Sequence, residues 1–195
     1  LMTKQVYSHV KKIIKNHRIW LITHLPLLLA IFALFFIPEN AKTILKYSGY
    51  TALLFLVSVL ILTPLIRIFP TIVILKNINR HRRELGVAAF SYAMLHMISY
   101  VIKKGSIFKA WQFAFHPAII PAFFIALPIL LLLSLTSNNF SIKKLGFNKW
   151  KNLHKKVYIA EIAIFLHMIM VGEAFYAFLI FILLFFIQYK SRKKS

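Results

Sequence analysis

Apolar residues run through this chain in long blocks and do not alternate with polar ones. Six blocks stand out, at residues 19–38, 49–66, 85–102, 118–136, 157–171 and 174–188. A helix of about 20 residues is about 30 Å long, the thickness of a bilayer's hydrocarbon core. Unbroken apolar runs of this length read as spanning helices, whereas alternation would have argued for strands. The blocks predict an all-α, polytopic membrane protein, a six-helix transmembrane bundle forming one domain over residues 1–195. Residues 1–18 form a basic arm and residues 189–195 a basic tail. The fifth block is short and lies between His154 and Glu173.

Pro26, Pro64, Pro121 and Pro128 fall in or near the blocks and read as kinks or helix ends. Membrane helices tolerate them because neighbours can satisfy the freed carbonyls. The connection 106–117 has its own pattern. Phe108, Trp111 and Phe115 recur at i, i+3 and i+7, one face of a short helix lying in the outer membrane interface. That face is either an aromatic belt or a docking surface for an outer partner. No internal repeat or low-complexity linker is evident. No small-residue cleavage site follows the first block, which is therefore expected to stay as a span.

Charge orients the bundle. The chain has 25 Lys and Arg against four acids, a net charge of +21. In a soluble protein that balance would suggest nucleic acid. Here the basic residues lie between apolar blocks, where they set topology and touch anionic membrane lipid. Twenty lie in the two termini and in the second and fourth connections; only five (Lys42, Lys46, Lys103, Lys104 and Lys109) lie on the other side. The positive-inside rule then places both termini in the cytoplasm, and only an even number of spans keeps the asymmetry. There is no cysteine. Disulfides, thiolate-ligated haem, iron–sulfur clusters and covalent c-type haem are excluded.

Candidate chemistry rests on the histidines. His9 and His17 lie in the basic arm, His81 in the cluster Arg80-His81-Arg82-Arg83, and His116 in an outer loop. His24 is one turn into the first block and reads as an interfacial polar residue. His96 and His167 differ. His96 is 12 residues beyond Glu84 and His167 is 13 beyond His154. Both therefore sit about 18–20 Å from the inner face, on spans running the same way. A polar ring in hydrocarbon is costly without a partner. Two rings at one depth suggest a single ligand between two helices, and a b-type haem (heme b) iron is the commonest that takes two neutral imidazoles. The other reading is two unrelated histidines, each hydrogen-bonded to a neighbouring helix.

His154 opens the fifth span at the cytoplasmic edge. Its spacing from His167 would let one helix hold an inner and an outer haem about 20 Å apart, although an ideal helix leaves the two rings about 140° apart. The inner haem would need a second ligand, for which His81 is the histidine at matching depth; a flavin or headgroup contact is the rival reading. Glu161 is the one acid within a span. Either a functional role or an interhelical hydrogen bond would account for it.

Specific stretches resemble the ferric-reductase-like transmembrane family, and within it the haem-binding membrane subunits of bacterial methionine-sulfoxide reductase systems. Gly49-Tyr50-Thr51-Ala52-Leu53 through Thr63-Pro64-Leu65 is similar to the second span of that family. Arg82-Arg83-Glu84-Leu85-Gly86 leading to Leu95-His96 is similar to its third. Leu135-Thr136-Ser137, Leu145-Gly146, Trp150, Leu153-His154 and Val157-Tyr158 follow its fourth loop and fifth span, up to His167. The likeness covers residues 49–167. It implies that His96, His154 and His167 take part in haem binding and assigns them nothing finer; His96 and His167 as axial ligands of the iron, and His154 at a second haem, are readings of depth and spacing. It implies transfer of electrons across the bacterial inner membrane to a periplasmic molybdopterin methionine-sulfoxide reductase. The donor would be a cytoplasmic flavin reductase or quinol, and some family members are described with flavin (FMN) as well as haem. Two stretches depart from the pattern, both on the outer side where the partner would bind. Residues 114–121 lack the basic-Pro-Tyr entry to the fourth span, and Met168-Ile169-Met170 replaces an aromatic follow-up.

The sequence thus points to an electron-transfer subunit of an oxidoreductase system. No cysteine is available to ligate molybdenum, so substrate reduction is expected on a separate protein. A membrane ferric reductase component is the alternative. With seven residues after Gln188 and no glycine-rich dinucleotide fingerprint, its reductase is expected to be a separate cytoplasmic protein. A proton or ion transporter built on Glu161 and the histidines is a third reading, disfavoured because acid–base chains do not cross several spans.

Overall fold

The computed structural model describes residues 2–193, with side chains from Arg18 onward. The side chains of His9 and His17, and residues Lys194 and Ser195, lie outside the described residues. Every element among the described residues is helical. Helix α1 runs Met2–Phe36, and a 3-10 turn, Pro38–Asn40, leads into α2, Ala41–Ile68. A short α3, Val73–Asn79, precedes α4, Arg82–Lys104, and α5, Ile107–Ala114. A π-helical segment, Pro121–Ala126, continues into α6, Leu127–Leu135. Two short helices follow, α7 (Asn139–Leu145) and α8 (Phe147–His154), before α9 (Val157–Met170) and α10 (Ala174–Lys193).

Local chemistry explains the ends. Helix α4 carries Glu84 in its first turn and Lys103 and Lys104 in its last, both suited to the helix dipole. It stops at Gly105, whose φ of 73° is left-handed and free of strain only without a Cβ. Ser106 then caps α5, its hydroxyl accepting from the N–H groups of Phe108 and Lys109. The π segment has a local cause. Pro128 cannot donate to the carbonyl four residues back, and directly before it Leu127 N–H reaches five residues back to Ala122.

Helices α2 and α4 form the most extensive pair, with α1 on α4, α10 on α2 and α9, and α9 against the π segment and α6. Small residues permit the close approach. Ala89, Ala126, Ala160 and Ala163 are buried at the meeting of α4, the π segment and α9, beside Leu56 and Leu60 of α2. Large apolar side chains such as Leu54, Phe175 and Phe185 point outward, as the lipid-facing surface of a membrane bundle requires.

Four helices, Arg18–Phe36, Pro38–Ile68, Arg82–Lys104 and Ala174–Lys193, are long and apolar enough to cross a membrane. The bent pair Pro121–Leu135 and Asn139–Leu145, which meets at 95°, raises the number to five. The sequence reading expects six. The difference lies in the fourth and fifth blocks. In the fourth block residues 118 and 119 are turn and the helical run Pro121–Leu135 is short, and α9 has only 14 residues, about 21 Å of helix.

The connections carry structure that the hydropathy pattern does not register. The segment 106–117 does fold as a short helix, and Trp111, half-exposed, lines the rim of an open cavity with Ile107, Ala110 and Ala114. Phe108 stays largely exposed. His24, read as interfacial, is buried: its ring stacks on Trp20 and its Nδ1 lies 2.8 Å from Thr23 Oγ1. Tyr92 of α4 donates to the Thr23 carbonyl and so ties this turn of α1 to the bundle.

Candidate functional site

His96 and His167 face each other. Their ring centroids are 6.5 Å apart and the planes nearly perpendicular, at 85°. His96 comes from the middle of α4 and His167 from the last turn of α9. They meet because α9 packs against the π segment and α6, and α6 in turn lies on α4. Both rings line one cavity of about 810 Å³. Its wall is mostly apolar, with Leu53 and Leu56 of α2, Ala89 and Ala93 of α4, and Ala122 and Ala126 of the π segment.

Each ring is oriented by a backbone carbonyl from another element. His96 Nδ1 lies 2.7 Å from the Leu45 carbonyl in α2, and His167 Nδ1 lies 2.5 Å from the Ala118 carbonyl before the π segment. A carbonyl only accepts, so Nδ1 must carry the proton in both rings. In the neutral imidazole, Nε2 then keeps its lone pair. This tautomer, held by an outer hydrogen bond, is the state in which histidine ligates a metal.

Gly49 completes the setting of His96. A Cβ at this position would lie 2.8 Å from His96 Nδ1 and 2.9 Å from Cε1. Only glycine lets α2 approach the ring so closely. Hydropathy marks Gly49 only as the start of a span and is blind to this contact. A glycine within an apolar helical stretch was the available signal, since it weakens a helix by about 1 kcal/mol unless packing requires it.

His154 is not in this cavity. It closes α8, its ring packs against Trp150 with centroids 4.1 Å apart, and Nε2 lies 3.1 Å from Thr136 Oγ1. The Thr136 hydroxyl donates to the Leu132 carbonyl, and Trp150 Nε1–H donates to the Thr136 carbonyl. Burial, then the charges of Arg82 and Arg83, hold the His154 imidazole below its ordinary pKa, opposed by the Thr136 backbone acceptor. The two arginines are themselves fixed, Arg82 donating to Thr63 Oγ1 and Arg83 to Asn139 Oδ1. His81, the expected partner of His154, lies 3.7 Å from Glu84 instead. His116 stays in the loop and accepts from the Ala118 N–H.

Glu161 is buried between α9 and α10, where Gln188 Nε2 donates to its carboxylate at 3.2 and 3.4 Å. The interhelical hydrogen bond is the reading that the geometry bears out.

A helical bundle that presents two histidines from separate helices to one apolar cavity defines a membrane protein class, and comparison with known proteins identifies it. The chain belongs to the family of ferric reductase like transmembrane components, whose family model matches residues 48–166. It is similar to the protein-methionine-sulfoxide reductase heme-binding subunits MsrQ of Brucella ovis and Brucella canis, at 40% identity over 135 residues. The MsrQ of Brucella melitensis biotype 2 is 39% identical over the same length. In each case the match covers 68% of this chain and 58% of the relative, so the chain spans well under two thirds of their length. No solved structure matches it.

Proposed function

We propose that this chain is the haem-binding, electron-transferring membrane subunit of a methionine-sulfoxide reductase system, with His96 and His167 as the axial ligands of a b-type haem. The observation that carries the proposal is the pairing of these two rings in one cavity, each with Nδ1 tied to a carbonyl and Nε2 left free.

The site fits the group. A ligating imidazole nitrogen lies about 2 Å from its metal and the ring centre about 1 Å beyond, so two rings on one iron have centres about 6 Å apart. The observed separation is 6.5 Å. The cavity of about 810 Å³ is of cofactor size and mostly apolar, as a porphyrin face requires. Haem, when bound, supplies one-electron chemistry at potentials that its ligands tune. The chain's own part is to hold two imidazoles in the ligating tautomer, to keep the cavity dry with its alanine and leucine wall, and to keep Gly49 clear of the His96 ring. The Leu45 and Ala118 carbonyls would make both imidazoles stronger donors to a bound iron.

Six spans with both termini in the cytoplasm fit the charge asymmetry, and they make α9 the fifth crossing of an inner-membrane protein in which residues 1–195 form one domain. A 14-residue helix can cross where the bilayer thins and flanking polar side chains snorkel to the interface. Electrons then enter at the cytoplasmic end, from a flavin reductase or quinol, and leave at the outer end toward a periplasmic molybdopterin methionine-sulfoxide reductase. His154, beside Arg82, Arg83 and Trp150, belongs to the entry region, where it serves an inner haem or FMN.

The deciding experiment is an absorption spectrum of purified protein with and without dithionite, for the wild type and for His96→Ala and His167→Ala. The wild type is expected to show a low-spin b-type spectrum and each variant to lose it. Full haem in either variant overturns the pairing. His154→Ala should leave that low-spin signal in place, while halving total haem or slowing reduction by a flavin reductase.

A further inference from the structure

The side of the bundle that the charge pattern leaves poor in cations has five, and three of them gather at one place. Lys42, Lys46 and Lys103 line the His96–His167 cavity, as does Trp111 of α5. Their register is regular. Lys42 lies seven residues before Gly49, which touches His96, and Lys103 lies seven residues after His96. Seven residues are two helical turns, so each lysine sits about 10.5 Å outward from the His96 level and nearly on the same helix face. Antiparallel α2 and α4 thus bring their lysines to one rim, with Lys46 a turn deeper. Lys104, which does not line the cavity, has another contact, its ammonium lying 3.3 Å from the Phe113 ring centroid.

None of the three lysines pairs with a carboxylate among the described residues. Lys46 lies 5.9 Å from the Tyr50 ring centroid. The one acid on the cavity wall, Glu173, accepts a hydrogen bond from the Tyr50 hydroxyl at 3.0 Å. An apolar cavity with a ligand pair at its centre and three uncompensated cations at its mouth matches one chemical shape: a flat apolar body with anionic arms on a single edge.

We propose that Lys42, Lys46 and Lys103 form an anion clamp at the mouth of the His96–His167 cavity that binds the two carboxylate arms of the porphyrin cofactor. The clamp rests on the haem reading above. It sets the cofactor's orientation, carboxylates toward the outer rim and apolar edge toward Ala89 and Ala126. The three lysines are exposed, so each charge-assisted contact is modest and salt-sensitive, and the clamp acts through three cations together.

The test titrates the chain, expressed without haem and held in detergent, with haem and with haem dimethyl ester, whose arms carry no charge. Affinity and the bis-imidazole absorption spectrum are read separately. Wild-type protein is expected to bind haem about tenfold more tightly than the ester, a preference that shrinks with added salt. The K42Q/K46Q/K103Q variant should bind both forms equally with an unchanged spectrum, and K42R/K46R/K103R should restore the preference. Equal binding of both forms by the wild type, or an undiminished preference in the glutamine variant, overturns the clamp and leaves the histidine pair standing. Absence of a bis-imidazole spectrum in the wild type overturns the haem reading itself.

Discussion

Gly49 of α2 lies so close to His96 of α4 that a single methyl group between them would stand 2.8 Å from the imidazole Nδ1. The ring cannot simply retreat, because the same nitrogen is bonded to the Leu45 carbonyl one turn earlier in α2. The helix that orients the ring therefore also confines it.

Gly49→Ala separates these roles. Alanine is the better helix former by about 1 kcal/mol, so the variant should not unfold for local reasons. It should displace the ring and convert the low-spin spectrum to high-spin or lower haem per protein severalfold. An unaltered spectrum at full haem content would show that His96 has room to move.

His154 makes stability depend on pH. Its folded pKa lies below the ordinary histidine value, so the unfolded chain binds more protons in the window between the two. Its contribution is complete above about pH 6.5 and is lost as pH falls toward the folded value. The melting temperature in detergent should drop between pH 7.5 and 5.5, and less so in His154→Gln. Identical pH profiles for the two proteins would remove His154 from the account.

Glu161→Ala leaves Gln188 with unpaired donors in an apolar setting, at a cost of about 1–3 kcal/mol. The double variant Glu161→Ala, Gln188→Leu should recover part of that loss, because both polar groups are gone. Thermal unfolding checks this; a double variant less stable than Glu161→Ala alone would mean that the pair is not the source of the effect.

Topology is open to reporter fusions. Fusions after Ser195 and at Asn148 should report the cytoplasm, and fusions at Asn40, Ser106 and Glu173 the periplasm. If Asn148 and Glu173 report the same side, α9 does not cross and the six-span arrangement fails.

Hydropathy and charge are written locally, and they determined the membrane class and the approximate bounds of most long helices; residue motifs carried the likeness to the family, and depth singled out His96 and His167 as candidates. A 20-residue apolar run needs no tertiary partner to declare itself a span. Matched depth along two spans likewise needs only the rise per residue. Lateral arrangement is another matter, since no periodicity along one helix says which neighbour lies beside it. Only the tertiary structure decided that α9 lies against the π segment, which places the two rings 6.5 Å apart. The same holds for the Leu45 and Ala118 carbonyls, for the approach of Gly49 and for Trp111 at the cavity rim. Each is a contact between segments distant in the chain, settled by side-chain volume and by the need to satisfy every polar group in hydrocarbon.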